Sequence, residues 1–438
     1  GRWGGFPTFG VAWHLGDEEF IQRLGFISLI KLRYSWGQSG NAPTGTSPYI
    51  GKFSAVTPGY GDMSAVKPES PDLTHLKYET ITSNNIGVDV GLFSDRITFA
   101  VELYTKVTDD MLQKKIKVPS STGLSTVAWY NSGKMENRGW EFNIDVAAVR
   151  TKDWGFNLGF NISQNKNKVL ELPENQSDET YTFGNKKYAY RVLMGDPLGS
   201  FYGYRYKGVY QNVEETYAVD KTGQQIMDIN GAPVVVKNGD QKVYPGDAKY
   251  EDVNGDGVID ENDIVYLGNS NPTLTGGLNF TLRYKKLSLV AALHGRAGQK
   301  VINESRINME NMYGKNNQSV AVLRRWRSEG DNTDIPRALY DKGYNYLGSD
   351  RFVEDASFLR LKTITLKYQF PENWMKPLGI NKLEIYATGY DLFVWTKYTG
   401  QDPEINLKNP DGSAAQVAID SNNTPKAMRF AFGLNLRF

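Results

Sequence analysis

The chain has 438 residues, enough for several soluble domains or for one large sheet around a lumen. Its net charge of +1 argues against a nucleic-acid surface, so no nucleic-acid partner is expected. Cysteine is absent, which excludes disulfide frameworks, thiolate metal sites and cysteine nucleophiles. No apolar run reaches about 18 residues, so no transmembrane helix is predicted. The mean hydropathy of -0.48 still permits a barrel, because only every second residue of its strands faces lipid.

Alternation of apolar and polar residues with a period of two predicts eleven long strands. The clearest strand ends the sequence, where Met428, Phe430 and Phe432 begin an apolar face that continues to Phe438. In the ninth strand the apolar parity switches near Thr363, which predicts a β-bulge. The predicted strands are, in chain order, 8–15, 29–36, 86–92, 97–103, 140–146, 156–162, 278–284, 287–294, 358–370, 383–393 and 428–438.

The links between these strands are alternately short and long. Ser94 and Asp95 join the third strand to the fourth, residues 150–153 join the fifth to the sixth, and Lys285 with Lys286 joins the seventh to the eighth. The intervening links run to tens of residues. Outer-membrane barrels combine short periplasmic turns with long extracellular loops, whereas a soluble sandwich has no reason to do so. The sequence therefore predicts an all-β fold, an antiparallel transmembrane β-barrel with long extracellular loops.

Aromatic residues near the short links are expected to form an interfacial girdle. These residues are Trp154, Tyr284, Phe370 and Phe438. The last of them also predicts a periplasmic C-terminus. Bacterial barrels have even strand numbers, and an open edge in lipid leaves backbone groups unpaired, so eleven strands are expected to need an upstream portion to close the sheet. Because Gly1 is not a start methionine, the chain is expected to be a processed or partial product.

Residues 252–263, with the sequence DVNGDGVIDEND, carry the sharpest chemical motif. Oxygen-bearing side chains stand at the first, third, fifth, ninth and twelfth positions with glycine at the sixth, which is the spacing of a calcium loop. The predicted metal ligands are Asp252, Asn254, Asp256, Val258 through its carbonyl, Asp260 and Asp263. Region 245–270 is therefore predicted to be a calcium-loop-like insertion in a long extracellular loop, with structural Ca²⁺ as its cofactor. The alternative is a solvated acidic turn without metal.

No catalytic site is predicted. His14, His75 and His294 share no metal spacing, and the carboxylates of the loops show no fixed pairing. Tyrosines are frequent in the long links, where they could stack on sugar rings or peptide side chains, or pack the loops. Residues 301–309 and 320–327 are predicted to be helical within a long link and could form a lid or a partner surface.

Eight strings spread along the chain resemble the SusC/RagA family of TonB-dependent outer-membrane transporters. They are GFPTFGVAW at 5–13, LRYSWG at 32–37, PDL at 71–73, KMENRGWE at 134–141, GDPLGSFYG at 195–203, PGD at 245–247, SFLRLK at 357–362 and TKYTGQDPE at 396–404. Members of that family form 22-stranded barrels with an N-terminal plug. The resemblance thus implies that residues 1–438 are the C-terminal portion of such a barrel, with the plug and the N-terminal barrel half absent from the chain.

The same resemblance implies a function. It suggests an active importer of oligosaccharides or oligopeptides in the bacterial outer membrane, in contact with membrane lipid. A SusD-like surface lipoprotein would be its partner, and the TonB complex would energise it through the N-terminal plug. The chain is not expected to be an enzyme. Two alternatives stay open, namely a structural or secretion-associated barrel acting as a docking scaffold, and a surface-exposed soluble β-protein acting as a binding module.

Overall fold

A computed structural model describes the residues that follow. They are 3–44, 48–57, 59, 61, 63–118, 120–124, 126–172, 181–182, 188–190, 192–341, 343–408 and 417–438. Strands dominate, and the α-helices in these ranges are short: α1 Glu19–Gln22, α2 Glu304–Glu310 and α3 Glu372–Met375. None of these helices is both long and apolar enough to cross a membrane.

Eleven strands form one sheet, in which they follow one another in chain order. They are β1 Thr8–His14, β2 Ile27–Asn41, β3 Glu79–Leu92, β4 Ile97–Asp109, β5 Lys134–Arg150, β6 Trp154–Glu171, β7 Leu274–Tyr284, β8 Leu287–Ala297, β9 Phe358–Gln369, β10 Lys382–Thr396 and β11 Arg429–Arg437. The neighbouring pairs from β1 to β6 and from β9 to β11 are antiparallel. The predicted all-β class and the eleven predicted strands are confirmed.

Several strands extend further toward the long links than the sequence predicted. Strand β3 begins at Glu79 instead of residue 86, and β5 begins at Lys134 instead of residue 140. Both faces of these extensions are largely polar, so apolar alternation could not reveal them. They remain in register with the neighbouring strand, as in the pairs of Thr80 with Asp109 and of Thr82 with Val107.

The alternation of short and long links is present in the structure. Phe93, Ser94 and Asp95 turn the chain between β3 and β4 with left-handed φ angles of 56°, 55° and 58°. Lys285 does the same between β7 and β8, with φ 51°. The long links are 42–78, 110–133, 172–273, 298–357 and 397–428.

The chain divides into two compact units, each described by itself. Unit 1 comprises residues 1–177, 193–197 and 276–288 and contains β1 to β6. Its strand pairing places alternate side chains on two opposite faces. One of these, called the apolar face, carries Ile86, Leu103 and their neighbours, and the other is called the polar face.

Unit 2 comprises residues 178–192, 198–275 and 289–438 and contains β9, β10 and β11. The register between β9 and β10 shifts between Leu361 and Thr363, where Leu361 pairs with Phe393 and Thr363 pairs with Tyr390. Asp391, skipped by this shift, has a left-handed φ of 52°. The predicted bulge near Thr363 is therefore confirmed, and it explains why the apolar parity changes within one strand.

The described parts of the long links contain secondary structure of their own. Their shorter strands are Lys52–Val56, Ala65–Ser70, Leu112–Lys117, Thr126–Asn131, Tyr181–Thr182, Ala189–Tyr190, Ser200–Gly203, Tyr206–Val209, Lys237–Asn238, Gln241–Lys242, Ala248–Tyr250, Val258–Ile259, Val265–Asn269, Lys300–Ile302, Val353–Asp355, Leu407–Lys408 and Val417–Ala418. In unit 2 a buried cluster that includes Tyr188, Phe201, Ile302 and Phe352 packs several of these elements together. The predicted helical stretches 301–309 and 320–327 are confirmed in part, as α2 and as a 3-10 helix at Val320–Arg324, whereas Val301 and Ile302 belong to a strand.

Candidate functional site

The apolar face of unit 1 is exposed although it carries large hydrophobic side chains. Ile86 and Leu103, which pair directly across β3 and β4, are 57% and 52% exposed. Four successive cross-strand rows form this apolar face, and their side chains are exposed or half-buried. They are Leu92, Ile97, Val146 and Leu158, then Val90, Phe99, Ile144 and Phe160, then Val88, Val101, Phe142 and Ile162, then Ile86, Leu103 and Trp140 with Gln164. An exposed apolar surface of this extent is typical of a face that contacts lipid or a partner.

This surface is tall enough to cover most of the apolar band of an outer-membrane barrel. Its outermost rows are six residues apart at about 3.4 Å per residue, so they lie roughly 20 Å apart along the strands and roughly 16 Å apart after a tilt of about 40°. The apolar band of an outer-membrane barrel is about 25 Å tall. The next row toward the long links is polar, with Asn84, Thr105, Arg138 and Lys166. This change from apolar to polar marks one edge of the band.

Strand β11 in unit 2 shows the same two faces. Phe430, Phe432 and Leu434 are 68%, 82% and 59% exposed. On the opposite face, the amide of Asn435 donates a hydrogen bond to Glu384 of β10 at 3.1 Å. The predicted apolar face of the last strand is therefore exposed, while the opposite face carries polar and charged side chains.

Aromatic side chains gather at the short-link ends, as the sequence predicted. The rings of Trp154 and Tyr284 in unit 1 lie 4.4 Å apart, and Trp154 is 48% exposed. Phe370 contacts Tyr368 in unit 2, and Phe438 is exposed. The structure adds a contact between Phe26 and Phe93 that the sequence analysis missed, because both residues lie outside the alternating pattern.

The polar face of unit 1 carries a cluster of three charges. Arg33 of β2 donates two hydrogen bonds to Asp89 of β3, at 2.8 and 2.9 Å, and a third to Glu102 of β4 at 3.4 Å. Gly87, the residue paired with both Arg33 and Glu102, leaves room for the guanidinium. Sequence reasoning missed this cluster because it depends on the register between three strands.

Two tyrosines of the polar faces cover glycines on the neighbouring strand. A Cβ on Gly139 would lie 2.6 Å from the hydroxyl of Tyr104, and a Cβ on Gly433 would lie 2.4 Å from the ring of Tyr386. Each tyrosine is the direct cross-strand partner of its glycine. An aromatic ring laid over a strand glycine shields backbone that would otherwise lack side-chain contacts.

In unit 2, two of the strings that carried the family resemblance meet in an ion-pair network. Arg360 of SFLRLK binds Asp402 of TKYTGQDPE, and Lys362 contacts Glu404 at 3.0 Å. Lys426 reaches the same Glu404 oxygen at 2.6 Å. Burial alone would raise the pKa of Glu404, but the hydrogen bonds from Lys426 and Lys362 prevail and lower it to about 2. The network thus fastens both ends of the long link 397–428 to β9.

The PGD string has a similar structural role in unit 2. Asp247 is fully buried, and its carboxylate accepts hydrogen bonds from Arg337 at 2.7 Å and from the amide of Asn345 at 3.3 Å. A further buried pair joins Arg351 to Glu310 at 3.1 Å. Buried charges are tolerated only when they are paired in this way.

Tyrosines of the long links are in part packing residues. Tyr188, Tyr202, Tyr210 and Tyr346 are buried. The hydroxyl of Tyr188 donates a hydrogen bond to the carbonyl of Ser349 at 2.8 Å, and burial raises the pKa of that hydroxyl. For these four side chains, packing of the loops accounts for their presence.

The predicted calcium ligands lie together in the link between β6 and β7, within unit 2. Asp252 accepts backbone hydrogen bonds from Gly255 and Gly257, each at 2.7 Å, and both glycines have left-handed φ angles of 70° and 82°. Asp256 accepts a hydrogen bond from the backbone of Val258 at 2.8 Å, while the amide of Asn254 donates to Asp256.

The remaining predicted ligands close the other end of this loop. Asp260 and Asp263 form a reciprocal capping box on the 3-10 helix Glu261–Asp263. Asp263 is buried, and its two oxygens accept hydrogen bonds from the backbone of Val253 and Asp260. Burial raises the pKa of Asp263.

The donor set of this loop has the hard oxygens that Ca²⁺ prefers, but the carboxylates are turned toward backbone N–H groups. Within the ranges that the structure describes, no group of three or more acidic, histidine or cysteine side chains has metal-binding geometry. The calcium site stays a prediction, because the turn geometry accounts for the same residues without a metal.

Comparison with known proteins decides the family. The family of TonB dependent receptor-like β-barrels matches residues 1–238, more than half of the chain. The chain belongs to this family. A TonB-dependent receptor, P3, of Formosa agariphila is 30% identical over 443 residues, covering 99% of this chain and 42% of the relative. The TonB-dependent receptor SusC of Bacteroides thetaiotaomicron is 28% identical over 458 residues, covering 100% of this chain and 40% of the relative.

Solved structures agree on the fold. The RagAB peptide transporter superposes with a TM-score of 0.76 at 23% identity, covering 99% of this chain and 44% of that one. The predicted SusC/RagA resemblance is thus confirmed, and the sheet of this TonB-dependent barrel is a partial one. The chain spans less than half the length of the relatives it matches. The family consists of outer-membrane receptors and transporters, not enzymes, which agrees with the prediction that this chain breaks no bond.

Proposed function

We propose that this chain is the C-terminal barrel portion of an active importer of oligosaccharides or oligopeptides, which works with a SusD-like lipoprotein and is energised through TonB. The two-faced wall of unit 1 carries the proposal. Ile86 and Leu103 on one face suit lipid, whereas Arg33, Asp89 and Glu102 on the other suit a wet lumen. Family membership supports the coupling to TonB.

The substrate class is inferred from the chemistry of the polar face. It mixes both charge signs with amides such as Asn143 and Asn161, which pair directly across β5 and β6. Amide side chains both donate and accept hydrogen bonds, so they suit sugar hydroxyls and peptide groups better than a strongly charged ligand. The structurally similar RagAB is a peptide transporter, which supports the peptide alternative.

A protein partner on the long-link side is supported by exposed apolar residues there. Val320 and Leu323, in the 3-10 helix Val320–Arg324, are 79% and 62% exposed. Ile229, beside the turn that ends at Gly231, is 100% exposed. Apolar side chains held in water on folded loops are typical of a docking surface. A SusD-like lipoprotein is the occupant that the family suggests.

The proposed orientation puts the long links outside the cell and the C-terminus in the periplasm. It is supported by the short-link position of the aromatic pair Trp154 and Tyr284 and by the short-link end of β11. An epitope tag after Phe438 should be hidden in intact cells, whereas one inserted at Gly231 should bind antibody. The reverse pattern would overturn the orientation.

The function is tested with the full-length protein in cells that depend on it for a glycan or a peptide. Uptake should require TonB and should fall when the SusD-like neighbour is deleted. Uptake that persists without TonB would refute active import. Intact assembly without any uptake would favour the alternative, a structural or secretion-associated docking scaffold.

A further inference from the structure

A groove of about 790 Å³ lies at the long-link end of unit 1. The part of the groove nearer the short links is formed by the apolar-face residues Ile86, Leu103 and Trp140. Arg138 and Lys166 stand in the next cross-strand row, just beyond the last apolar one. The groove therefore spans the boundary between the apolar band and the polar end of the wall.

The charges at this boundary destabilise the pairing of β5 with β6. Arg138 and Lys166 are direct cross-strand partners, and both are exposed. Like charges directly opposite each other destabilise an antiparallel pair. Glu136 pairs with Lys168 in the following row, so the four side chains carry two uncompensated positive charges. Within the described ranges neither Arg138 nor Lys166 forms an ion pair, and an anion between them would relieve the repulsion.

The height of Arg138 and Lys166 relative to the membrane indicates which anion they would bind. One row along the strands is about 7 Å, so Arg138 and Lys166 stand at headgroup level above the apolar band. The indole N–H of Trp140 donates a hydrogen bond to Gln164 at 2.9 Å, which keeps its polar edge at the same level. Tryptophan and long basic side chains take these positions at membrane interfaces.

We propose that this groove binds the phosphate of an outer-leaflet glycolipid, with Arg138 and Lys166 holding the phosphate and Lys168 beside them. The acyl chains of the lipid would lie on Ile86, Leu103 and Trp140. The proposal rests on the proposed orientation, which puts the long links outside the cell. The alternative is that the side chains of Arg138 and Lys166 extend into water and bind no lipid.

The test is native mass spectrometry of the full-length protein in mild detergent, titrated with a phosphorylated glucosamine-disaccharide lipid. Each cation near a charged membrane surface contributes enough that its removal should weaken binding about fivefold. The double variant Arg138→Gln with Lys166→Gln should therefore bind about 25-fold more weakly. The matched control is Lys106→Gln, since Lys106 is exposed but lies on the polar face of β4. That variant should bind like the wild type.

Further ligands in the same binding assay distinguish a lipid phosphate from free phosphate. Equal binding of the dephosphorylated lipid, unchanged binding by the double variant, or preference for phosphatidylethanolamine would each overturn the proposal. Inorganic phosphate that binds as tightly as the lipid would show a free-anion site and overturn it too. Heat-modifiable electrophoresis checks folding, and the single variant Lys166→Gln replaces the double variant if that one does not fold. The lipid-binding assay contains neither TonB nor a transport substrate. Its result can therefore be interpreted even if the proposed import function fails its own test.

Discussion

The guanidinium of Arg33 binds both carboxylate oxygens of Asp89 on the polar face of unit 1, with Nε–Oδ2 at 2.8 Å and Nη2–Oδ1 at 2.9 Å. A Cβ on Gly87 would lie 2.9 Å from Nη2 of Arg33. We expect Gly87→Ala to displace the guanidinium and cost about 1 kcal/mol of unfolding free energy. In an Arg33→Ala background the same change should cost much less. Urea unfolding of the full-length protein in micelles measures both, and equal costs would contradict the coupling.

Gly139 is expected to tolerate no side chain at all. A Cβ there would lie 2.0 Å from the backbone carbonyl of Gln164 and 2.6 Å from the hydroxyl of Tyr104. Backbone cannot move aside as a flexible side chain can, so Gly139→Ala should cost about 1 to 3 kcal/mol or more. Gly314→Ala is the control, because a Cβ at Gly314 would meet nothing within 4 Å. Folding yield in detergent compares the two, and similar yields would contradict the prediction.

The features that the sequence predicted depend on neighbours along the chain. The parity switch at Thr363 was visible because a bulge moves apolar residues to the other register within one strand. The sequence also predicted the short turn at Ser94 and Asp95 and the apolar face of β11, because both depend only on residues that are close together along the chain. Family strings such as SFLRLK added the barrel type, which alternation alone does not determine.

The features that were missed depend on register between strands or on backbone geometry. Arg33 meets Asp89 and Glu102 only because β2, β3 and β4 align in one particular way. The extension of β3 to Glu79 has no apolar face to reveal it. At Asp252 the sequence is ambiguous, because the same Asp and Gly spacing serves a calcium loop or a series of side-chain-capped turns.

The two faces of β11 predict different responses to charge. Phe432 is 82% exposed on the apolar face and lies two rows from the short-link end of the strand. Phe432→Arg should destabilise the full-length barrel by about 2 to 4 kcal/mol if that face contacts lipid. Asn435→Arg, on the opposite face beside Glu384, should cost much less. Unfolding from phospholipid vesicles measures the difference, and equal costs would contradict the assigned faces.

Calcium binding by residues 252–263 can be tested directly. Calorimetric titration of the full-length protein should show binding at or below millimolar calcium, with Asp252→Ala and Asp256→Ala each abolishing it. Calcium should also slow hydrogen exchange at Gly255 and Gly257, whose N–H groups are bonded to Asp252. Asp331→Ala, an acidic residue outside this loop, is the control. No binding at millimolar calcium, with exchange unchanged in all variants, would remove the site.

The network around Glu404 predicts acid sensitivity of the long link 397–428 in unit 2. Lys426 and Lys362 lower the pKa of Glu404 from 4.5 to about 2. A lowered folded-state pKa means that this stabilisation is complete above pH 4.5 and is lost as the pH falls toward 2. Because solvent screens this partly exposed carboxylate, the contribution is reduced to on the order of 2 kcal/mol, and Glu404→Gln should remove this pH dependence. The exposed Glu329 provides the control variant, Glu329→Gln. Hydrogen exchange at Thr399 and Gly400, recorded between pH 2 and 7 and corrected for intrinsic rates, should show acid opening in the wild type and in the control. Acid opening of the same size in Glu404→Gln would show that other carboxylates are responsible.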